Sequence, residues 1–544
     1  MKIVLVRCPQ PELCNDDGDL YSPNRTRTPE PTLPQLHGIL QDFSEQLNVN
    51  IEIVQLDLRD PSLGTLNTVH YGDVRLPYLG HELHKVYYGV SLASLSDQLA
   101  GADVVGFKKN FSMSRGVVVR HMQEIRTLLP EAEFWVGGRD VYTDRIKDIY
   151  AEAAGRRNVV LFEGQVFESL PAYLLSKLLC KGEPFGVTIY DGDGRKRTVL
   201  ARSLLEFANE KHEIRVPIPI YLRPESLGYF TGSGEGEPDP PYGRFVYYMT
   251  SYGCPYACAY CTTGQRERFL VHKDEETIVN ELEMYKRLGA TTLAYDDDNL
   301  LALGPEKVNQ FLGLVNRYGF EIEYGNGLQL SLLLKHWDEV RDSIFGRCVS
   351  LYAPLEDLTQ DRLYAKLDPI AIQLELMRRI ANTKFDVLKY VTMGAIVGVP
   401  GHTKQALTTT FMENTRRFLD LFIGSPYEVA MTVFNFIPLP GTSFGEQAFD
   451  SGRMVADAIY THPEICNFGV VSYAPVGMTA SEVYDAQQAA LELNPAGKTL
   501  GISYNELQRK GERVLPENER SKIPVQWRTS GKHLRARMIE TQIK

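Results

Sequence analysis

Cys254-Pro255-Tyr256-Ala257-Cys258-Ala259-Tyr260-Cys261 carries three thiols at C-x3-C-x2-C spacing. A strand-like run, Phe245-Val-Tyr-Tyr-Met-Thr250, leads into it through a turn residue, Gly253. Thiolates at this spacing wrap one corner of a small inorganic cluster, and a [4Fe-4S] cube ordinarily takes four cysteine ligands. Three ligands leave one iron open to a substrate or cofactor. The competing readings are a structural zinc site and unrelated buried cysteines. Structural zinc takes four ligands, usually as two separated pairs, and no fourth Cys or His lies near this loop.

Away from that loop, 544 residues predict two or three domains with ample core. An apolar fraction of 43% suits a globular enzyme, and a net charge of -11 argues against nonspecific binding to nucleic acid or anionic membrane. The opening Met1-Lys-Ile-Val-Leu-Val-Arg-Cys8 is too short an apolar run for a signal peptide and reads as a first strand. No stretch approaches the roughly 18 apolar residues of a membrane helix. A cytoplasmic chain with neither nucleic-acid nor membrane partners is expected. The remaining cysteines, Cys8, Cys14, Cys180, Cys348 and Cys466, are too scattered for a disulfide framework.

Upstream of the cysteines, strands are predicted at Lys2 to Arg7, Ile51 to Leu58, Asp103 to Phe107, Glu133 to Val136 and Val159 to Phe162, with helices at Leu33 to Leu47 and Gly116 to Leu129. Alternation of this kind makes an α/β, doubly wound parallel sheet over residues 1–190, whose ligands bind beyond the carboxyl ends of the strands. The loops there are Pro9 to Pro31, Arg59 to Tyr88, Lys108 to Arg115, Gly137-Gly138-Arg139 and Glu163-Gly164-Gln165. The chain reads as irregular from Lys196 to Arg244, and its Gly/Pro clusters mark residues 191–244 as a linker. The Gly232-x-Gly-x-Gly236 within it lacks the flanking strand and helix of a dinucleotide loop.

After the cysteines the alternation resumes. Strands are expected at Thr291 to Tyr295, Glu321 to Gly325, Cys348 to Leu355, Leu388 to Val397 and Glu428 to Ile437, separated by helices such as Asp274 to Leu288, Pro305 to Tyr318 and Ala371 to Ala381. Counting the strand before the cysteines, six βα units make a partial barrel over residues 245–445, with its site at the carboxyl ends of the strands. Residues 446–544 read as mostly helical, with helices at Ala480 to Leu493 and Tyr504 to Arg513, and end in a basic stretch from Arg528 to Lys544.

The motif C-x3-C-x-Tyr260-Cys resembles the signature of the radical S-adenosylmethionine (SAM) superfamily. In that family the open iron is chelated by the amino and carboxylate groups of SAM, and an electron from the cluster splits the sulfonium to a 5′-deoxyadenosyl radical. The loops Gly137-Gly138 and Glu163-Gly164, with Ser112 and Ser114 after the third strand, resemble the cobalamin-binding domain that precedes the barrel in B12-dependent members. The Asp-x-His-x-x-Gly motif is absent, so the resemblance implies base-off cobalamin; His70, Arg75, His81 and His84 in the long second loop are candidates for the lower face. His81-Glu-Leu-His84 is one residue short of a zinc-protease motif.

Within the barrel the resemblance implies that Asp296-Asp297-Asp298-Asn299 meets the SAM amino group, and that Glu356 occupies the Glu position of a Glu-Ser pair whose serine is here Asp357. It further implies that Gly394-Ala-Ile-Val-Gly398-Val-Pro400 passes the adenine, and that Phe436-Ile-Pro-Leu-Pro-Gly-Thr442 is the tail of the sixth strand. The implied activity is a cobalamin-dependent radical SAM methyltransferase. Its methylcobalamin would methylate an unactivated carbon or phosphinate phosphorus of a small molecule, often in natural-product biosynthesis, with electrons from a donor such as flavodoxin or ferredoxin. The rival readings are a cobalamin radical SAM rearrangement, cyclisation or oxidation, and a non-catalytic iron-sulfur or corrinoid sensor, for which no output domain is visible.

Overall fold

Ile3, Val4, Leu5 and Val6 are all buried, the pattern of a parallel strand covered on both faces. Val4 and Val6 enter one apolar core and Ile3 and Leu5 another, so the two cores are the two faces of one sheet. In the computed structural model, residues 1–16, 31–108, 112–141, 143–221, 245–263, 268–359, 369–467 and 469–494 are described.

The first strands are Lys2–Arg7 (β1), Pro11–Cys14 (β2), Glu52–Asp57 (β3), Leu66–Arg75 (β4), Glu82–Val90 (β5), Val104–Lys108 (β6), Glu133–Gly137 (β7), Val159–Phe162 (β8), Val187–Tyr190 (β9) and Lys196–Val199 (β10). Seven form a sheet in the order β10-β9-β8-β7-β6-β1-β3, parallel from β3 to β8 and antiparallel at β9 and β10. The parallel part has the flavodoxin-like order, with its topological switch between β1 and β6. Helices Thr32–Leu47 and Val166–Leu179 cover one face, and Arg115–Leu128 and Asp144–Ala153 the other.

Two stretches differ from the sequence reading. The segment from Arg59 to Tyr88, expected as a loop, is a hairpin in which β4 pairs with β5, and β2 adds to its other edge. Its buried residues, Val74, Leu76 and Leu83, are covered by Ala458, Ile459, Ile465 and Val470 from far along the chain, so local alternation is too sparse to announce it. Part of the expected linker is also ordered. β10 closes the edge of the first sheet, and Glu213–Ile214 (β11) pairs with a strand of the second half. The glycine-rich remainder, the expected helix from Tyr504 to Arg513 and the basic terminal stretch lie outside the described residues.

The second half contains Phe245–Tyr248 (β12), Ser251–Tyr252 (β13), Val271–Lys273 (β14), Thr292–Tyr295 (β15), Glu321–Tyr324 (β16), Cys348–Glu356 (β17), Tyr390–Val397 (β18) and Glu428–Asn435 (β19). Strands β12, β15, β16, β17, β18 and β19 form one parallel sheet in sequence order. The crossover helix Glu275–Arg287 shows why such segments are helical. Asp274 caps it by accepting from Thr277 N–H at 2.8 Å, acidic residues occupy its first turn and Lys286 and Arg287 its last. Strands β12 and β19 do not pair, yet the arc curls far enough for Phe444 N–H to donate to Ala259 O at 2.9 Å. The outer edge of β19 is capped by side-chain amides. Asn494 accepts from Met431 N–H at 2.6 Å and donates to Met431 O at 2.7 Å, and Gln487 donates to Val433 O at 2.7 Å. These bonds satisfy groups that an edge strand would otherwise offer to another chain. Among the described residues no helix is long and apolar enough to cross a membrane.

The segment after the sixth strand also clasps the first half. Val471 N–H donates to Tyr78 Oη at 2.7 Å, and Tyr71 donates to Glu464 Oε1 at 2.9 Å. Arg115, only 1% exposed, pairs with Asp140 through two bonds of 2.6 and 2.7 Å and donates to Ile459 O. Arg115→Ala would leave the buried Asp140 carboxylate without its guanidinium partner. A loss of about 3–5 kcal/mol is expected, read as a lower midpoint in chemical denaturation; an unchanged midpoint would show that the pair adds nothing.

Candidate functional site

The cysteine loop leaves β13 through Gly253, whose φ of 86° and a Cβ that would lie 2.2 Å from Phe269 O both require glycine. Cys254 and Cys258 are buried, Cys261 is half-buried, and all three are free thiols at the carboxyl end of the six-stranded sheet. Tyr260 packs against Val399, Phe436 and Tyr473, and its hydroxyl hydrogen-bonds Glu356. Burial and the nearby Glu356 push that phenol well above its ordinary value. Glu356 has a left-handed φ of 63° at a register shift of β17, backbone strain of the kind that clusters at functional sites.

The three consecutive aspartates after β15 have three different roles. Asp297 is buried and accepts from Thr250 N–H at 2.6 Å, Thr250 Oγ1 at 2.8 Å and Ser251 Oγ at 2.7 Å. Its carboxylate thus braces the chain just past β12. Burial nevertheless raises its pKa to about 6. Asp298 accepts from Gly253 N–H and Thr263 Oγ1, both at 3.2 Å, and pairs with Arg139 at 2.9 Å. Asp296 is half-buried; its N–H donates to Tyr248 O at 2.8 Å, and its carboxylate has no hydrogen bond among the described residues. Burial raises its pKa to about 6, against the opposing pull of Arg139. Of the three, Asp296 is the carboxylate available to a cation.

Asn299, next in sequence, donates to Cys254 Sγ at 3.7 Å and to Gln329 Oε1 at 2.9 Å. Its Oδ1 is buried with no partner among the described residues. A donor on a thiolate and an orphaned acceptor beside it suit a cluster-bound ligand carrying N–H groups.

The glycines of the fifth strand are explained by packing. A Cβ at Gly394 would lie 1.8 Å from the Tyr352 hydroxyl, and one at Gly398, where φ is 78°, would lie 2.8 Å from Val483 Cγ1 on the helix Ala480–Leu491. Tyr352 thus packs directly on the Gly394 backbone. Asp357, in the serine position, accepts from Thr359 N–H and Oγ1 at 2.7 Å and from His402 Nε2 at 3.0 Å. Gly398 N–H donates to His402 Nδ1 at 3.2 Å, which puts the imidazole proton on Nε2 and lets this chain brace the turn after β18.

In the first half, Gly137 and Gly138 follow β7, and Gly138 needs its glycine for a φ of 119°. They deliver Arg139 to Asp298, joining the loops at the carboxyl ends of the two sheets. Gln10 Oε1, just past β1 at the switch point, is buried and unpartnered among the described residues. Ser112–Ser114 is a 3-10 turn against which the Pro463–Ile465 turn packs. Glu464 lies so close that a Cβ at Gly116 would be 2.0 Å from its Oε1. Of the Glu163 carboxylate, Lys147 holds one oxygen at 2.8 Å and Thr188 the other at 2.5 Å. Glu163 and Gly164 N–H both donate to Gly186 O and build the passage to β9. Sequence reading named Arg139 only as part of a loop and did not single out Gln329 or His402, since each acquires its meaning from a partner distant in the chain.

No family model matches the chain, and no curated protein matches it in sequence. Its fold is that of cobalamin-dependent radical SAM enzymes. The cobalamin-dependent S-adenosylmethionine radical enzyme OxsB, with aqua-cobalamin and S-adenosylmethionine bound, matches with a TM-score of 0.60 at 12% identity, covering 96% of this chain and 70% of that one. The radical S-adenosylmethionine methyltransferase TsrM from Kitasatospora setae, with cobalamin and a [4Fe-4S] cluster bound, matches at 0.57 and 13% identity, covering 100% and 99%. The same enzyme with tryptophan substrate and aza-SAM bound matches at 0.54 and 13%, covering 89% and 88%.

Arg139→Ala would remove the tie between the two sets of loops. A half-exposed ion pair is worth about 0.5–1 kcal/mol, so roughly two- to fivefold faster amide hydrogen exchange is expected at residues 137–140 and 296–299. Unchanged exchange in both loops would show that Arg139 does not hold them.

Proposed function

We propose that this chain is a cobalamin-dependent radical SAM methyltransferase that methylates an unactivated carbon or phosphinate phosphorus of a small molecule. The observation that carries the reading is the Arg139–Asp298 contact. It brings the glycine loop of a flavodoxin-order sheet to the three-cysteine loop of a six-stranded parallel arc. Cys254, Cys258 and Cys261 would hold a [4Fe-4S] cluster, and residues 137–139 with the β1/β6 crevice would hold base-off cobalamin. When bound, these groups supply a 5′-deoxyadenosyl radical from SAM and a transferable methyl group.

The chain's own residues position and shield. Asn299 donates to a cluster thiolate, a bond that helps set cluster potential. Asp296 would accept from the ammonium of bound SAM, with Asn299 Oδ1 as a second acceptor. Tyr260 and Glu356 fix the far side of the cysteine loop, and the helix Ala480–Leu491 walls the end of the arc. The cluster would take its electron from a donor such as flavodoxin or ferredoxin. The likeness to OxsB, described as a radical enzyme and not as a methyltransferase, supports a second reading in which the radical reaction moves no methyl group.

Product analysis separates the two. Anaerobic turnover is expected to give both 5′-deoxyadenosine and S-adenosylhomocysteine, with a methylene mass gain on substrate, and Cys258→Ala should abolish both. Deoxyadenosine without S-adenosylhomocysteine would favour the second reading, and full activity of Cys258→Ala would remove the cluster assignment.

Asp296 also predicts a pH dependence. A bound ammonium favours the carboxylate, so protons and SAM compete for it. SAM affinity should be level above pH 6 and fall as pH drops through about 6, approaching a tenfold loss per pH unit until the lower pKa of the complex is reached. Equilibrium dialysis should show this in the wild type, while Asp296→Asn binds weakly at every pH with no step near 6.

A further inference from the structure

On the β4–β5 hairpin two imidazoles converge on one carboxylate. His70 Nε2 and His84 Nδ1 each lie 2.7 Å from Asp73 Oδ1, and the three ligand atoms fall within 4.8 Å of one another. Asp73 faces His84 directly across the ladder. His70 is three residues before Asp73, an odd spacing that puts side chains on opposite faces of a regular strand. The register shift between His70 and Gly72 inserts Tyr71 as an extra residue and brings His70 onto the face of Asp73. Tyr71 instead reaches the buried Glu464. The second nitrogen of His84, Nε2, lies 2.7 Å from Asp16 Oδ1, just beyond β2. A carboxylate on the far nitrogen of a ligating histidine is the usual way such a ring is oriented and made more basic.

We propose that His70, Asp73 and His84 bind a borderline divalent cation of the zinc, cobalt or nickel class, with water completing the coordination and Asp16 orienting His84. Two imidazoles and a carboxylate are donors that zinc accepts at about 2.0–2.2 Å. Donors around a tetrahedral ion at that bond length stand about 3.3 Å apart, so each imidazole would draw back from Asp73 Oδ1 by about half an ångström on binding. Side-chain exposures of 53%, 39% and 28% leave room for that opening and an approach from solvent. The ion would pin the chain leaving β2 to the hairpin that packs against residues 458–470. This site is independent of the reading of the cysteine loop.

The test is equilibrium dialysis of the chelator-stripped full chain against micromolar zinc, with metal counted by mass spectrometry. Wild type, His70→Ala and Asp73→Asn are compared, so that zinc on the shared thiols cancels. His70 and Asp73 are exposed, and far-UV circular dichroism checks that each variant keeps its fold. Wild type is expected to retain about one more zinc per chain than either variant. Zinc is also expected to slow amide exchange in β4 and β5 of the wild type alone. Equal zinc content overturns the proposal and leaves an ion-pair cluster. A zinc difference without protection of the hairpin also overturns it, because the ion then lies elsewhere.

Discussion

A buried carboxylate holds the centre of this molecule together. Asp297 ties the end of β15 to the end of β12 through three donors on Thr250 and Ser251, and in doing so sets the path into the cysteine loop. With Asp297 anchored inward, its neighbours serve other surfaces. Asp298 reaches Gly253, Thr263 and Arg139, while Asp296 keeps a free carboxylate. One desolvated side chain thus orients a charged loop whose neighbours contact a different element on either side.

The cost of that arrangement shows in its electrostatics. Burial raises both Asp296 and Asp297 to about 6, and only Asp297 has hydrogen bonds to offset it. Consecutive like charges are tolerable here because Arg139 arrives from the other half to balance them. That pair is half-exposed and adds little stability. Its importance is geometric, because it sets the distance between two loops that belong to separately built sheets.

Stability of the assembly lies elsewhere, in the long-range clasp around residues 453–473. The bond from the buried Arg115 to Ile459 O and the apolar contacts of the hairpin join segments hundreds of residues apart in sequence, and the Asn494 and Gln487 amides reach β19 from 63 and 54 residues away. The wall of the arc is therefore also the brace of the first sheet, which keeps the two carboxyl ends facing a common space.

The order of strands and helices in both halves was legible in the sequence, because parallel strands buried on both faces are continuous apolar runs and their crossover helices carry strong periodicity and caps. The cysteine spacing, the glycines after β7 and the acidic loop after β15 were equally visible, since each is a short local pattern. The hairpin at Leu66–Arg75 and Glu82–Val90 was not, because its burial comes from residues 458–470. Nor did local sequence distinguish Asp296, Asp297 and Asp298. Identical side chains in a row acquire different roles only when the fold supplies Thr250, Ser251, Thr263 and Arg139 to two of them and leaves the third unbonded. Local chemistry determined which groups this chain carries, and long-range packing decided which of them remain free to act.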